Sequence, residues 1–307
     1  MNGYDEILGY FPKDGIRAAL SRCIEREKPE EIRIRGGRPL SLFVSGRILY
    51  VTEEGGASPN PTDGIITGRA YISGLFRALC ENSVYAYIDE IRRGFITIRG
   101  GHRVGFVGRA VCGSGSAIEN FRDISSVNIR VANEIIGSAD PIIGSIVSGG
   151  RIRSALIISP PGVGKTTVLR DLARQLSERG LKVGVADDRG EIAAMYHGLP
   201  GCDIGVNTDV IENAPKAEGI TILLRTMSPA VIITDELVTE EEAAAVYYAK
   251  GSGAAIVASA HGGSFEEIEQ KPHIGSLIRR RVFDVLILLK YRDVKNHVIE
   301  GEVRRVR

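Results

Sequence analysis

One stretch of the chain has residue types suited to holding phosphate: Ser159-Pro160-Pro161-Gly162-Val163-Gly164-Lys165-Thr166-Thr167. Glycines let backbone N–H groups curl around an anion, and a helix opening directly after them adds favourable partial charge. In such a loop the Lys165 ammonium reaches the β- and γ-phosphates of a nucleotide. The Thr166 hydroxyl ligates Mg2+, and Thr167 caps the helix or touches the α-phosphate. The pattern G-x-x-x-x-G-K-[ST] is broken at one letter, where its first glycine is Ser159, a small residue. The competing reading is a glycine turn followed by a chance Gly-Lys-Thr.

A second constellation is acidic. Val231-Ile232-Ile233-Thr234 runs into Asp235-Glu236. At a strand tip beside the glycine loop, Asp235 would hold the metal through water and Glu236 would polarise the attacking water. The plainer alternative is a strand ending in solvated acids. His261, in Ala258–Gly263, follows the next expected strand and could donate to the γ-phosphate, although a lone histidine is more often structural. Asp187-Asp188-Arg189-Gly190-Glu191 ends the strand after the glycine-loop helix. Glu191 could orient water or metal there, while Asp187 or Asp188 could simply cap the turn. Arg225 closes the helix before the acidic strand and could reach a phosphate or a neighbouring subunit; the helix dipole alone also favours arginine there. Arg279-Arg280-Arg281 reads as a solvated face within a C-terminal stretch rich in Lys and Arg.

These residues need a frame. Strands are expected at 155–158, 182–186, 230–234, 254–258 and 283–289, with helices at 165–179, 216–227, 240–250 and 264–270. Such alternation predicts an α/β domain with a parallel sheet over residues 151–307. Residues 136–150 read as a linker. Residues 1–135 read as a smaller α+β domain: a helical segment ending at Pro29, a strictly alternating strand Glu31–Arg35, hairpins around Ser45-Gly46 and Gly100-Gly101, helices near 67–80 and 84–91, and a strand at 124–131. Gly113–Ser116 is expected to be a flexible connection.

Composition narrows the class. Hydrophobic content of 43% and charged content of 25% suit a globular chain with a sizeable core. A net charge of +1 argues against a surface that binds polyanions throughout. Cys23, Cys80, Cys112 and Cys202 are far apart and form no C-x-x-C pair, so buried reduced thiols are expected. The N-terminal residues lack the basic and apolar regions of a secretory signal. No run is long enough to span a membrane.

With these residues in hand, the chain resembles the stage III sporulation protein AA family of endospore-forming bacteria, itself related to the hexameric secretion ATPases of the type II/IV superfamily. The resemblance runs over Glu31–Leu40 (EIRIRGGRPL), Gly100–Val107, Ile124–Val131 (ISSVNIRV), Ser159–Thr167, Asp187–Glu191, Leu223–Pro229 (LLRTMSP), Asp235-Glu236 and Ala258–Gly262. It implies a RecA-like P-loop NTPase core with a smaller N-terminal α+β domain, with ATP and Mg2+ as ligands. It implies nucleotide binding by Ser159–Thr167, metal binding by Thr166 and Asp235, and catalytic roles for Lys165, Glu191, Glu236 and His261, to which Arg225 is added as a catalytic candidate from its place at the helix end. Arg109 and Arg130 match the N-domain arginines that approach nucleotide in the superfamily. The implied activity is an ATP-hydrolysing motor that assembles as a ring, a hexamer by resemblance. It would power or assemble a transenvelope channel between mother cell and forespore, on the cytoplasmic face of the membrane and held there by channel proteins.

Two other functions are weighed against it. A nucleotide-gated scaffold with little turnover is opposed by the full complement of Lys165, Asp235 and Glu236. A nucleic-acid-dependent ATPase is suggested by the basic C-terminal stretch, but 6% aromatic residues and no Trp leave few stacking platforms. A small-molecule kinase would need an arginine-bearing lid, and the sequence has no clear insertion for one.

Overall fold

The computed structural model describes residues 3–92, 94–113, 118–132, 134–293 and 298–306, so positions 114–116 of the expected flexible connection lie outside the described residues. The chain divides into two compact units, Met1–Asn133 with Tyr196–Gly201, and Glu134–Met195 with Cys202–Arg307.

The first unit is built on a seven-stranded antiparallel sheet. Its order is Ala57–Ser58, Arg47–Val51, Ser41–Val44, Glu31–Arg35, Ile118–Arg130, His102–Cys112 and Phe95–Ile98. Strict alternation in Glu31–Arg35 puts Ile32 and Ile34 into the core and Arg33 and Arg35 on the other face. The helices Gly3–Tyr10, Gly15–Glu27 and Arg69–Leu79 contribute Ile7, Leu20, Ile24, Ile72 and Leu75 to that core. Gly108 marks a register shift in the long hairpin, and a Cβ there would lie 2.7 Å from the Arg122 carbonyl oxygen. Within this unit Tyr196 donates to Glu81, and His197 Nε2 lies 3.2 Å from the same carboxylate.

The second unit is a mixed sheet whose order is Thr208–Glu212, Val183–Asp187, Val231–Glu236, Ala255–His261, Ala155–Ser159, Val285–Asp293 and Val298–Arg305. The first six run parallel, and the last pairs antiparallel to its neighbour. A parallel sheet covered on both faces demands apolar residues at every position of its central strands. Ala155 and Ile157 enter one core with Val231, Ile233, Val257 and Ile287. Leu156 and Ile158 enter the other with Ile232, Ile256, Ala258 and Leu286. The helix Lys165–Glu178 covers the first face through Val168, Leu169, Leu172, Ala173 and Leu176. Helices Lys216–Thr226, Glu240–Gly251, Phe265–Gln270 and Pro272–Arg279 cover the second.

Several elements differ from the sequence expectation, among them the stretch 136–150 expected as a linker, which holds the helix Asp140–Ile146 with Ile142 and Ile146 in the core of the second unit. Thr208–Glu212 and Val298–Arg305 are strands, although neither carries an apolar run; both are edge strands, half-exposed or exposed along most of their length. Pro272 ends one helix and opens another, since proline suits a first helical turn. Cys23, Cys80 and Cys202 are buried, but Cys112 is exposed at the end of its strand, contrary to the expectation of four buried thiols. Arg279, Arg280 and Arg281 are exposed, and Arg280 stacks over Tyr247 at 5.2 Å. Among the described residues no helix is long and apolar enough to cross a membrane.

Asp171 ties the helix Lys165–Glu178 to the segment that precedes the sheet. It is 4% exposed and accepts from Ala139 N at 2.8 Å and Gln175 Nε2 at 3.0 Å, with Arg174 at 2.6 Å. Burial works to raise its pKa, but the bonds from Ala139, Arg174 and Gln175 outweigh burial and hold it below the ordinary value. A depressed carboxyl contributes stability above its unfolded pKa, and that stability is lost as pH falls through the folded one. Asp171→Asn is therefore expected to destabilise the second unit by about 2–4 kcal/mol at pH 7. The difference should shrink in acid below the ordinary carboxylate range, which urea unfolding at the two pH values would measure.

Candidate functional site

The fully buried Ser159 ends its strand, and its hydroxyl donates to the Pro160 carbonyl at 2.9 Å. The missing first glycine is thus filled by a small side chain whose polar atom is satisfied. Gly162 and Gly164 have φ of 81° and 98°, a region that favours glycine. Val163 between them is buried and anchors the loop in the core, while Pro160, Pro161 and Gly162 are exposed. The helix Lys165–Glu178 opens at Gly164 with no side-chain cap. Its first-turn N–H groups, those of Thr166 and Thr167 among them, have no intrahelical partner, which is the arrangement that receives an anion.

Lys165 is half-buried, and among the described residues its Nζ meets neutral acceptors, His261 Nδ1 at 2.6 Å and the Ser159 carbonyl at 3.4 Å. Burial lowers its pKa; Glu236 opposes that shift and Lys271 adds to it. An ammonium can only donate, so His261 Nδ1 accepts and the ring proton resides on Nε2. That nitrogen lies 3.1 Å from Glu236 Oε2. Lys165, His261 and Glu236 therefore form one hydrogen-bonded chain. Strand order explains it. The strand Ala255–His261 lies between Ala155–Ser159 and Val231–Glu236, so the acidic tip is not directly beside the glycine loop, and His261 spans the gap. Ser159 and His261 are register partners, and the Gly262 amide donates to the Ser159 carbonyl at 3.2 Å. Lys271 donates to the His261 carbonyl and secures the turn from below.

Asp235 is 8% exposed, with Oδ1 2.7 Å from Lys216 Nζ. Burial raises its pKa, Lys216 counteracts that, and Asp187 and Glu191 reinforce it. Asp187 is fully buried and accepts from the amides of Glu191 at 2.9 Å, Ile192 at 3.0 Å and Ala193 at 2.9 Å. It closes the turn. Burial also raises its pKa, against those three hydrogen bonds. Glu191 is half-exposed at the end of the strand next to the acidic one, close enough to influence Asp235. Its carbonyl accepts from Arg170 at 2.7 Å.

The C-terminal edge of the sheet thus gathers Ser159–Thr167, Asp235, Glu236 and His261, with Glu191 nearby. Arg225 is not gathered there. Lys216, the first residue of its helix, touches the acidic tip, and nine residues of helix place Arg225 about 13 Å away along the axis, exposed at the far end. Lys216 itself escaped the sequence reading. Its one signal is a cation at the start of a helix, where the dipole disfavours positive charge. Arg109 and Arg130 lie in the first unit; both are exposed, and Arg130 Nε donates to Glu31 at 3.2 Å.

The donor set suits Mg2+ shared with phosphate. The Thr166 hydroxyl and the Asp235 carboxylate are hard oxygen donors from two elements, and Mg2+ commonly takes one or two carboxylates and completes its shell with phosphate and water. Among the described residues no group of three or more His, Cys, Asp or Glu could hold an ion unaided.

The X-ray structure of the Legionella pneumophila ATPase DotB matches this chain with a TM-score of 0.59 at 16% identity, covering 94% of this chain and 78% of that one. The pilus retraction motor PilT with bound ADP gives 0.61 at 14% identity, covering 94% and 82%. At such identities the likeness establishes the fold, a RecA-like P-loop NTPase core with a smaller N-terminal α+β domain. Stage III sporulation protein AA of Bacillus subtilis (strain 168) is 36% identical over 288 residues, 91% of this chain and 89% of that protein. The family model for sporulation stage III, protein AA, matches residues 6–304, and the chain belongs to that family.

Proposed function

We propose that this chain binds ATP with Mg2+ and hydrolyses it as a motor of the secretion-ATPase type. The observation that carries the reading is the chain Lys165–His261–Glu236 at the mouth of an uncapped helix, with Asp235 beside it. Lys165 leaves His261 for the β- and γ-phosphates, which offer it charge that the neutral imidazole does not. The amides of the Gly162–Thr167 loop and helix turn hold the remaining phosphate oxygens. His261 keeps its Nε2–H on Glu236 and so fixes the carboxylate that orients the attacking water for in-line displacement. Thr166, and Asp235 through water, would hold Mg2+, which would supply charge neutralisation to the phosphates. Glu191 assists in ordering water at the same edge.

In the assembled state the chain forms a ring, a hexamer, in which Arg225, Arg109 and Arg130 are the arginines available to a neighbouring nucleotide. The ring powers or assembles a transenvelope channel between mother cell and forespore, on the cytoplasmic face of the membrane and held there by channel proteins. Family membership and the fold shared with the ATPase DotB and the pilus retraction motor PilT support this reading.

The test is phosphate release by the purified full chain with Mg·ATP, alongside light scattering with and without nucleotide. Release that requires Mg2+, with growth in particle mass on adding Mg·ATP, is expected. No turnover in either the dispersed or the assembled protein would remove the motor reading.

A further inference from the structure

Lys216 is a buried cation that the proposed chemistry does not use. Its side chain is 3% exposed, and among the described residues its partners are oxygens of the acidic tip and of the helix that follows it. Nζ lies 2.7 Å from Asp235 Oδ1 and 3.8 Å from Glu242 Oε1, and it donates to the Glu236 backbone carbonyl. The helix Lys216–Thr226 does not explain this placement, because its positive end disfavours a lysine at the first position. Packing does not explain it either, since burying an ammonium is costly unless acidic partners surround it. Asp235 does explain it. A buried carboxylate needs a counter-charge, and a lysine ammonium is a compact point charge that can stand on one carboxylate oxygen.

We infer that Lys216 is a resident counter-cation of Asp235 and that Mg2+ must compete with it when nucleotide binds. This rests on the nucleotide and metal reading above and adds a positioning residue to it. Two cations drawn to one carboxylate oppose each other's binding, and the coupling is reciprocal: entry of Mg·nucleotide loosens Lys216, and losing Lys216 tightens Mg2+. Because Lys216 also holds the Glu236 carbonyl, its release frees the strand tip and the start of helix Lys216–Thr226 at the moment nucleotide binds. The acidic tip is thereby kept charge-balanced while empty, at the expense of metal affinity.

The experiment is a Mg2+ titration of a fluorescent ADP analogue bound to the full-length protein, with a parallel affinity measurement in excess EDTA. Lys216→Met keeps the length of the side chain and removes its charge. The half-saturating Mg2+ concentration is expected to fall about 5- to 150-fold, with the EDTA affinity unchanged. In an Asp235→Asn background the same substitution should cause no shift, because the carboxylate over which the two cations compete is gone. A thermal melt establishes that each variant is folded. Should Lys216→Met fail to fold, Lys216→Gln, which retains a donor to the Glu236 carbonyl, carries the same expectation. An unchanged or raised Mg2+ requirement overturns the inference, as does an equal fall in the Asp235→Asn background. If the wild-type chain binds the analogue with Mg2+ dependence and the variant does not differ from it, this inference alone fails. If the wild-type chain binds no nucleotide, the underlying reading fails and takes this one with it.

Discussion

Glu236→Gln is expected to lower ATP turnover by about 10²- to 10⁴-fold while Mg·ATP binding is retained. Glutamine has the shape of glutamate, and its Oε1 can still accept from His261 Nε2, so the 3.1 Å contact is preserved. What is lost is the negative charge and basicity that draw a proton from the attacking water. Steady-state phosphate release and equilibrium binding of the same preparation separate the two effects. The substitution also distinguishes the motor from a nucleotide-gated scaffold. A scaffold keeps its biological function with glutamine at this position, because it needs only the bound state.

Lys165→Ala acts one step earlier. Lys165 has no carboxylate partner among the described residues; it is held by a neutral imidazole and a carbonyl, both of which a phosphate out-competes. Removing one member of a buried charge pair costs about 2–5 kcal/mol, so nucleotide affinity should fall by about 30-fold or more. Binding measured by fluorescence or calorimetry checks this, and turnover should vanish with it. A variant that binds ATP as well as the wild-type chain would place the phosphates elsewhere.

Much of the frame that holds these residues could be read from residue order. Ala155–Ser159 and Val231–Glu236 are apolar enough to be strands covered on both faces, and the glycines that follow the first leave its helix a defined start. Edge strands gave no such signal. Thr208–Glu212 and Val298–Arg305 are polar because much of each strand meets solvent, and only hydrogen bonding to a neighbour defines them. The site was legible in part for a related reason. Residue types and spacing singled out Lys165, Asp235, Glu236 and His261 one at a time. The bridge from Lys165 to Glu236 depends on which strand lies between theirs, a property of sheet order that local sequence does not contain. Lys216 was missed, and Arg225 lies apart from the acidic tip of its own chain, for one cause, the direction of a single helix. Its start abuts the acidic tip, so its end cannot.

The central claim is that the lysine-bearing loop and the acidic strand tip meet on one metal-bound triphosphate. The most direct test is the structure of the chain with Mg2+ and a non-hydrolysable ATP analogue. The prediction is a triphosphate in the Ser159–Thr167 cradle, Lys165 Nζ moved from His261 to phosphate oxygen, and the ion between Thr166 and Asp235. An analogue bound elsewhere, or Lys165 still on His261 with the triphosphate present, would contradict it.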